Sequence, residues 1–255
     1  MLRFFTTVRR KLLSEGKSAQ YLKYALGEIA LVVIGILIAL QINNWNEARK
    51  EEKALKEYLV KIKSHTQEDL RQLEDITVGR KRIADLCKKA RNSILDKTED
   101  QNLLLFMFSG LAFADYYFKP NVGGYEALKN SDYFGKINNT PLDSLLAKYH
   151  AMVETIAENE KSYNDYTVDQ EGFLSTQYDR SLILASAFMP QDSLKNRATT
   201  QQEIDAAFIE YTRSAPYRNV ISLAAFQIDA MVGQYGELSA LGTQVISEID
   251  LMVSE

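Results

Sequence analysis

The longest stretch without a polar side chain covers residues 29–40, inside the sequence GEIALVVIGILIALQINNWNE at residues 27–47. Twelve residues are too few to cross a bilayer, because a hydrocarbon core of ~30 Å needs about twenty helical residues. Residues 25–45 reach that length, and their polar side chains lie near the two ends, where they can reach headgroups or water. The pattern predicts one transmembrane helix at residues 18–45.

Aromatic residues flank this stretch, with Tyr21 and Tyr24 on one side and Trp45 on the other. Tyrosine and tryptophan are enriched at both membrane interfaces, so these three are predicted interface anchors. A buried core helix is the alternative that the twelve-residue run alone would favour. A cleaved signal peptide fits less well, because the basic region before the run is long and no A-x-A-like site follows it.

The first 17 residues are predicted to form a basic amphipathic arm on the membrane surface. Apolar residues recur there at helical spacing, at Leu2, Phe5, Val8 and Leu12. The basic residues among them, predicted to lie at the membrane interface, are Arg9, Arg10 and Lys11. The positive-inside rule places this arm in the cytoplasm and the rest of the chain in the periplasm, across a bacterial inner membrane. Basic residues also follow the span, but long domains translocate largely regardless of charge.

Two features inside the span suggest contacts with a partner helix. Gly35 and Ala39 form a small-xxx-small pair, which allows close helix packing and predicts self-association as one option. Glu28 is expected either to be solvated at the membrane interface or to contact a second helix.

Residues 46–98 are predicted to continue as one long stalk helix. Apolar or small residues recur in steps of three and four, with a single step of seven between Ile76 and Ile83. Such a stripe on a charged helix is coiled-coil-like, and either a second copy or another helix of the same chain would satisfy it. Cys87 falls on the stripe and is therefore predicted to be a core residue. Residues 77–79 are the predicted position of a bend.

Residues 99–255 are predicted to form an exported antiparallel helical bundle, which makes the fold class all-α. Residues 103–114, LLLFMFSGLAFA, are expected to be a buried core helix, with membrane or partner contact as the alternatives. Thr140 and Pro141 have the residue types of a helix start. The further helices are predicted at residues 140–188, 201–211 and 215–253, and residues 119–124 are predicted to be a loop.

Composition limits the candidate chemistry. A formal net charge of −4 argues against generic nucleic-acid binding. One cysteine excludes an intramolecular disulfide, and the two histidines lie far apart in sequence. The sequence contains no phosphate-binding glycine motif, no G-x-S-x-G and no H-E-x-x-H. We therefore expect no catalytic residues, no cofactor and no metal. The best candidates for a partner surface are aromatic residues near the predicted loop at residues 119–124, which ends in two glycines: Tyr116, Tyr117, Phe118 and Tyr125.

The basic arm followed by GEIALVVIGILIALQINNWNE resembles an uncharacterised family of single-pass Gram-negative bacterial membrane proteins with a domain of unknown function. The segment GGYEALKNSDYFGKINNTPLDSLLAKYH, residues 123–150, is similar to a second typical segment of that family. The resemblance implies an integral membrane protein with a helical exported domain and implies no reaction.

These patterns leave a main functional hypothesis and alternatives. The first is a non-enzymatic, membrane-anchored adaptor or scaffold of the cell envelope, with an envelope protein as its partner. The second is an envelope ligand sensor that acts through a partner protein. An enzyme is the least supported, because the acidic residues are typical of ordinary solvated helix positions and the sequence shows no histidine-centred base. A homo-oligomer is compatible with the first two.

Overall fold

The computed structural model describes residues 18–98, 103–189 and 198–254, without the side chains at positions 18–21, 24, 187 and 188. The predicted arm at residues 1–17 lies outside the described residues. All regular structure in the described ranges is helical, so the all-α prediction is confirmed. The helices are α1 (Ser18–Leu95), α2 (Leu103–Ser109) with a following 3-10 turn (Gly110–Phe113), α3 (Gly123–Lys129), α4 (Pro141–Gln177), α5 (Ser181–Phe188), α6 (Gln201–Arg213) and α7 (Ala215–Ser254).

The helix starts follow local capping chemistry. At α4 the Thr140 side chain accepts a hydrogen bond from the backbone N–H of Asp143, and Pro141 occupies the first helical position. At α6 Thr200 and Glu203 form a reciprocal capping box. The sequence predicts both of these starts.

One predicted helix is divided in two. The prediction for residues 140–188 is one helix, but α4 ends at Gln177 and Tyr178 is extended, with φ −128° and ψ 137°. The Asp179 carboxylate accepts a hydrogen bond from the backbone N–H of Ser181 at 2.9 Å, at the start of α5. Hydrogen bonds from the Ser181 hydroxyl and, secondarily, from its backbone N–H lower the pKa of Asp179. A short side chain that bonds its own backbone competes with helix continuation.

The chain divides into two compact units, Met1–Glu57 and Tyr58–Glu255. In the first unit all side chains at residues 29–40 are exposed; Leu31, for example, is 70% exposed. Among the described residues, α1 is the one helix long and apolar enough to cross a membrane. A core helix of a soluble domain would hide these side chains, so the described residues do not support that alternative.

The second unit is built on α1 from Tyr58 onward, α4 and α7. Contacts between α1 and α4 advance in the same direction along both helices: Asp69 to Tyr149, and Arg80 to Glu160. Contacts between α1 and α7 advance in opposite directions: Lys63 to Asp250, Thr66 to Gly242, and Lys88 to Asp229. Helix α7 is therefore antiparallel to a parallel pair formed by α1 and α4. The predicted stalk, residues 46–98, is divided between the two units.

The coiled-coil-like stripe of α1 is buried within the second unit. Its members there that are less than 4% exposed are Leu59, Ile62, Leu73, Ile83, Cys87 and Ala90. Helices of the same chain satisfy the stripe, and Cys87 is a core residue as predicted. Helix α1 continues through residues 77–79 without a break in its assignment.

The region predicted as a core helix at residues 103–114 is buried on one side only. Phe106 and Ala112 are 2% exposed, whereas Leu104 is 68% exposed. Core tyrosines bond its backbone: the Tyr217 hydroxyl donates to the Phe106 carbonyl, and the Tyr163 hydroxyl donates to the Ala112 carbonyl at 2.7 Å. This segment packs on the bundle through its buried side and exposes an apolar outer side.

Candidate functional site

The most unusual part of the bundle is the connection between the two parallel helices. Because α1 and α4 point the same way, the chain must return along their length before α4 begins. Residues 114–122 make that return without regular secondary structure. An extended segment with no sheet neighbour must satisfy its backbone groups elsewhere. Side chains of α1 and α4 supply those hydrogen bonds, and we call this set of contacts the polar ladder.

The first half of the ladder uses three side chains on one face of α1. The Asp69 carboxylate accepts from the backbone N–H of Asn121 at 2.9 Å and from its side-chain amide at 2.8 Å. Gln72 bonds both the N–H and the carbonyl of Lys119. His65 Nδ1 accepts from the Gly124 N–H at 3.2 Å. The steps of four and three along α1 place these side chains above one another.

The second half of the ladder is a buried ion pair. Arg80 Nη2 donates to the Tyr116 carbonyl at 2.9 Å. Glu160 Oε2 accepts from the Phe118 N–H at 2.9 Å. The two side chains lie 3.8 Å apart, from Arg80 Nη2 to Glu160 Oε1, and each is 1% exposed. Each parallel helix therefore contributes one charged residue that holds the return segment: Arg80 at Tyr116 and Glu160 at Phe118.

Aromatic rings and α7 enclose this ion pair. The Arg80 guanidinium lies 5.6 Å from the ring centroid of Tyr116 and 5.9 Å from those of Tyr163 and Tyr235. The Tyr235 hydroxyl donates to Glu160 Oε1. Cation–π contacts and hydrogen bonds both offset the cost of burying a charge. The ladder thus joins α1, α4, α7 and the return segment at one point.

The network is not fully saturated with protein partners. Among the described residues, Arg80 Nε and Asn164 Oδ1 are buried without a hydrogen-bond partner. Asn164 Nδ2 bonds the Tyr116 carbonyl at 3.3 Å, the same oxygen that Arg80 engages. A buried ion pair with incomplete bonding adds little net stability compared with an apolar core.

The buried ionisable groups around the ladder favour their neutral forms. Burial raises the pKa of the Cys87 thiol to about 12, so it is a thiol and not a thiolate at neutral pH. Burial is also the largest cause that raises the pKa of Tyr149, Tyr163 and Tyr235. No group of three or more metal-ligating side chains is found within the ranges that the structure describes. The observed chemistry of the ladder is hydrogen bonding.

The predicted partner surface is only partly at the surface. Tyr117 is 44% exposed, whereas Phe118 is 6% exposed. The prediction is wrong for Phe118, because an extended chain alternates its side chains and directs this ring into the core. Tyr116 is half-buried against Arg80, and Tyr125 is half-buried against His150, with ring centroids 3.9 Å apart. Tyr117 is the member that remains available to a partner.

The predicted span residues lie as follows. Gly35 and Ala39 are exposed on α1, and no atom lies within 4 Å of a Cβ built on Gly35. Glu28 is half-exposed. Trp45 is 65% exposed, and the Arg49 guanidinium carbon lies 5.9 Å from its ring centroid. Arg9, Arg10, Lys11 and the side chains of Tyr21 and Tyr24 lie outside the described residues.

The two neighbouring glycines of the predicted loop differ in their surroundings. They open α3 instead of forming a loop. A Cβ on Gly124 would lie 3.1 Å from His65 Nδ1 and 3.3 Å from Ile62 Cα, whereas a Cβ on Gly123 would meet nothing within 4 Å. The contact with the Ile62 backbone explains why glycine is needed at position 124, since it lets α3 approach α1.

We expect Gly124→Ala to lower the free energy of unfolding by about 1 kcal/mol, because the methyl group forces α3 away from α1. Gly123→Ala is the matched control and should be neutral or stabilising by up to ~1 kcal/mol through helix propensity. Urea unfolding of the full chain in detergent micelles, followed by near-ultraviolet circular dichroism of the packed tyrosines, measures both. Equal effects of the two substitutions would contradict the close-approach argument.

The fold and the ladder define an all-α bundle protein with an N-terminal helix that has the length and composition of a membrane span. The chain belongs to the family of unknown function DUF6090, whose sequence model matches residues 28–178. The match begins at Glu28 in α1, includes the α1 and α4 sides of the ladder, and ends directly after α4. No curated protein and no solved structure matches the chain. The predicted membership of an uncharacterised family is confirmed.

Proposed function

We propose that this chain is a single-pass, membrane-anchored protein of the bacterial cell envelope, with its helical bundle acting as a non-enzymatic adaptor or scaffold. The exposure of every side chain at residues 29–40 is the observation that supports the proposed membrane anchor. Burial of apolar surface contributes roughly 25 cal/mol per Å². A bilayer offers that burial to a helix that is apolar on all sides.

The proposed location is the inner membrane, with the N-terminus in the cytoplasm and the bundle in the periplasm. The basic residues of the first 17 positions support this orientation. The Trp45 ring and the Arg49 side chain support an interface at the end of the apolar stretch, because such pairs suit the headgroup region. A single buried cysteine is compatible with either compartment.

The buried charged side chains of the bundle bond its own backbone, which supports a role as an interaction domain. The carboxylates of Asp69 and Glu160 and the guanidinium of Arg80 are engaged by the chain's own backbone. Exposed aromatic and apolar side chains are instead found at Tyr117 and along α2, at Leu104 and Phe108. Exposed aromatic residues are enriched where proteins bind one another. We therefore assign Tyr117 to the partner surface.

The proposal is tested by purifying the tagged full chain in a mild detergent and measuring its mass by light scattering and its partners by mass spectrometry. We expect an envelope protein to co-purify with the wild-type chain in a fixed ratio. It should be lost from the Tyr117→Ala variant and retained by the Val168→Ala variant. Val168 is 54% exposed on α4 and serves as the matched control. A homo-oligomer without any foreign protein would contradict the adaptor role. That result would favour self-association through Gly35 and Ala39, or a ligand sensor.

A further inference from the structure

The return segment is fully extended between its contacts with Arg80 and Asp69. Those contacts are made by Tyr116 and Asn121. The part of α1 between them covers about 16 Å at ~1.5 Å per residue. The five steps from Tyr116 to Asn121 cover the same distance, which is ~3.3 Å per residue, the rise of a β-strand. The segment therefore has two backbone edges, and alternate residues direct their N–H and C=O groups to opposite edges.

The edge that faces α1 is bonded at one end and open at the other. Gln72 bonds both the N–H and the C=O of Lys119. Tyr117 and Asp115 lie two and four positions earlier, so their N–H and C=O groups belong to the same edge. Within the ranges that the structure describes, these groups have no hydrogen-bond partner in the chain. Both residues are exposed.

The side chains of α1 explain why this end of the edge is open. The face of α1 that carries the ladder advances in steps of four and three, and the positions after Gln72 are Ile76 and Gly79. Neither has a side chain that can hydrogen-bond. A Cβ on Gly79 would meet nothing within 4 Å. The surface of α1 beside the open edge therefore leaves room for a second backbone to approach.

We propose that this open edge, formed by the backbone of Asp115 and Tyr117, docks an extended strand of the partner protein. Unpaired N–H and C=O groups at alternate residues are the pattern to which a peptide adds as a new strand. This assignment deepens the proposed function and rests on it, since that function assigns Tyr117 to the partner surface.

The outer face of the segment defines the chemistry of the partner strand. Its side chains are Asp115, Tyr117 and Lys119, and all three are exposed. Neighbouring strands favour opposite charges and aromatic or β-branched pairs across the ladder. The partner strand therefore carries a basic residue facing Asp115, an acidic residue facing Lys119, and between them an aromatic or β-branched residue that packs on the Tyr117 ring.

Two variants at position 115 test the backbone contact. Asp115→Ala and Asp115→Pro both remove the carboxylate, but only proline also removes the N–H. Ala114 has φ −75° and ψ 134°, a conformation that a residue before proline prefers, so the folded chain accommodates the substitution. The probe is the envelope protein that co-purifies with the wild-type chain and is lost from Tyr117→Ala. We expect Asp115→Pro to bind it roughly tenfold more weakly than Asp115→Ala does.

The outcomes distinguish the docking site from the adaptor role. Equal affinities of the Asp115→Ala and Asp115→Pro variants for the envelope protein would overturn the docking site and leave the adaptor role standing. If no envelope protein co-purifies with the wild-type chain, the adaptor role fails and the docking site fails with it.

Hydrogen exchange of the wild-type chain in detergent micelles gives a second test that needs no substitution. In the free chain the amides of Asp115 and Tyr117 should exchange within roughly tenfold of the intrinsic rate. The amide of Phe118, which is bonded to Glu160, is the reference and should be protected in both states. In the complex the amides of Asp115 and Tyr117 should slow by at least roughly tenfold. Protection of both amides in the free chain, or unchanged exchange in the complex, would overturn the proposal.

Discussion

Replacing Glu160 with methionine is expected to lower the free energy of unfolding by about 3–5 kcal/mol, because it leaves the buried Arg80 guanidinium without its carboxylate. Arginine cannot release its proton to relieve this cost. The Phe118 N–H and the Tyr235 hydroxyl lose their acceptor as well. Urea unfolding of the full chain in micelles, followed by near-ultraviolet circular dichroism, measures the change.

The double variant Arg80→Met with Glu160→Met should lose less than the sum of the two single variants. It removes both charges, and with them the cost of burying a pair whose bonding is incomplete. The exposed pair Arg71 and Glu68 on α1, with side chains 70% and 59% exposed, provides the control. Glu68→Met should cost at most ~1 kcal/mol. An equal cost for Glu160→Met would show that the ladder does not hold the bundle together.

Replacing Asp69 with leucine is expected to be the next largest loss, about 3 kcal/mol, since buried donors left without a partner cost ~1–3 kcal/mol each. Asp69 is 2% exposed. It accepts from the Asn121 backbone and side chain and from the Tyr149 hydroxyl, the last at 3.0 Å. The same unfolding measurement applies.

Two controls identify the cause of the Asp69 effect. Asp69→Asn keeps one acceptor oxygen for Asn121 and an amide that the Tyr149 hydroxyl can accept from, so it should retain much of the lost stability. Asp75→Leu changes an exposed position of the same helix and should stay within ~0.5 kcal/mol of the wild type. If Asp69→Leu and Asp75→Leu have the same effect, Asp69 does not anchor the return segment.

Features fixed by local chemistry could be predicted from the sequence. The start of α4 follows from Thr140 and Pro141, and the burial of Cys87 follows from its place on the apolar stripe of α1. Both depend on residues within a few positions of one another. The predicted membrane span also depends on one continuous segment, 18–45.

Features that depend on distant residues could not be predicted. The step of seven between Ile76 and Ile83 was the one irregularity in the α1 stripe, and Arg80 occupies the core position inside it. A charged residue at a core position signals a buried partner, but Glu160 lies 80 positions away. The parallel arrangement of α1 and α4 brings the two together, and nothing in either helix specifies that arrangement.

The return segment shows the same limit. The aromatic character of Tyr116, Tyr117 and Phe118 predicts one shared surface, but the return segment directs their side chains to different sides. Alternation predicts a buried Phe118 only when the segment is known to be extended. The sequence lacks the repeated alternation that marks strands, because the segment pairs with side chains of helices and not with a sheet.

The proposed topology, in which α1 spans the membrane and the bundle lies outside the cytoplasm, is tested most directly by fusing reporters after Glu255. Alkaline phosphatase is active only outside the cytoplasm. Green fluorescent protein fluoresces when it stays in the cytoplasm, but it stays dark after export through the general secretory route. We expect an active phosphatase fusion, a dark fluorescent fusion, and both fusion proteins in membranes that have been washed with alkaline carbonate. A fluorescent fusion, or a full-length chain released by the carbonate wash, would contradict it.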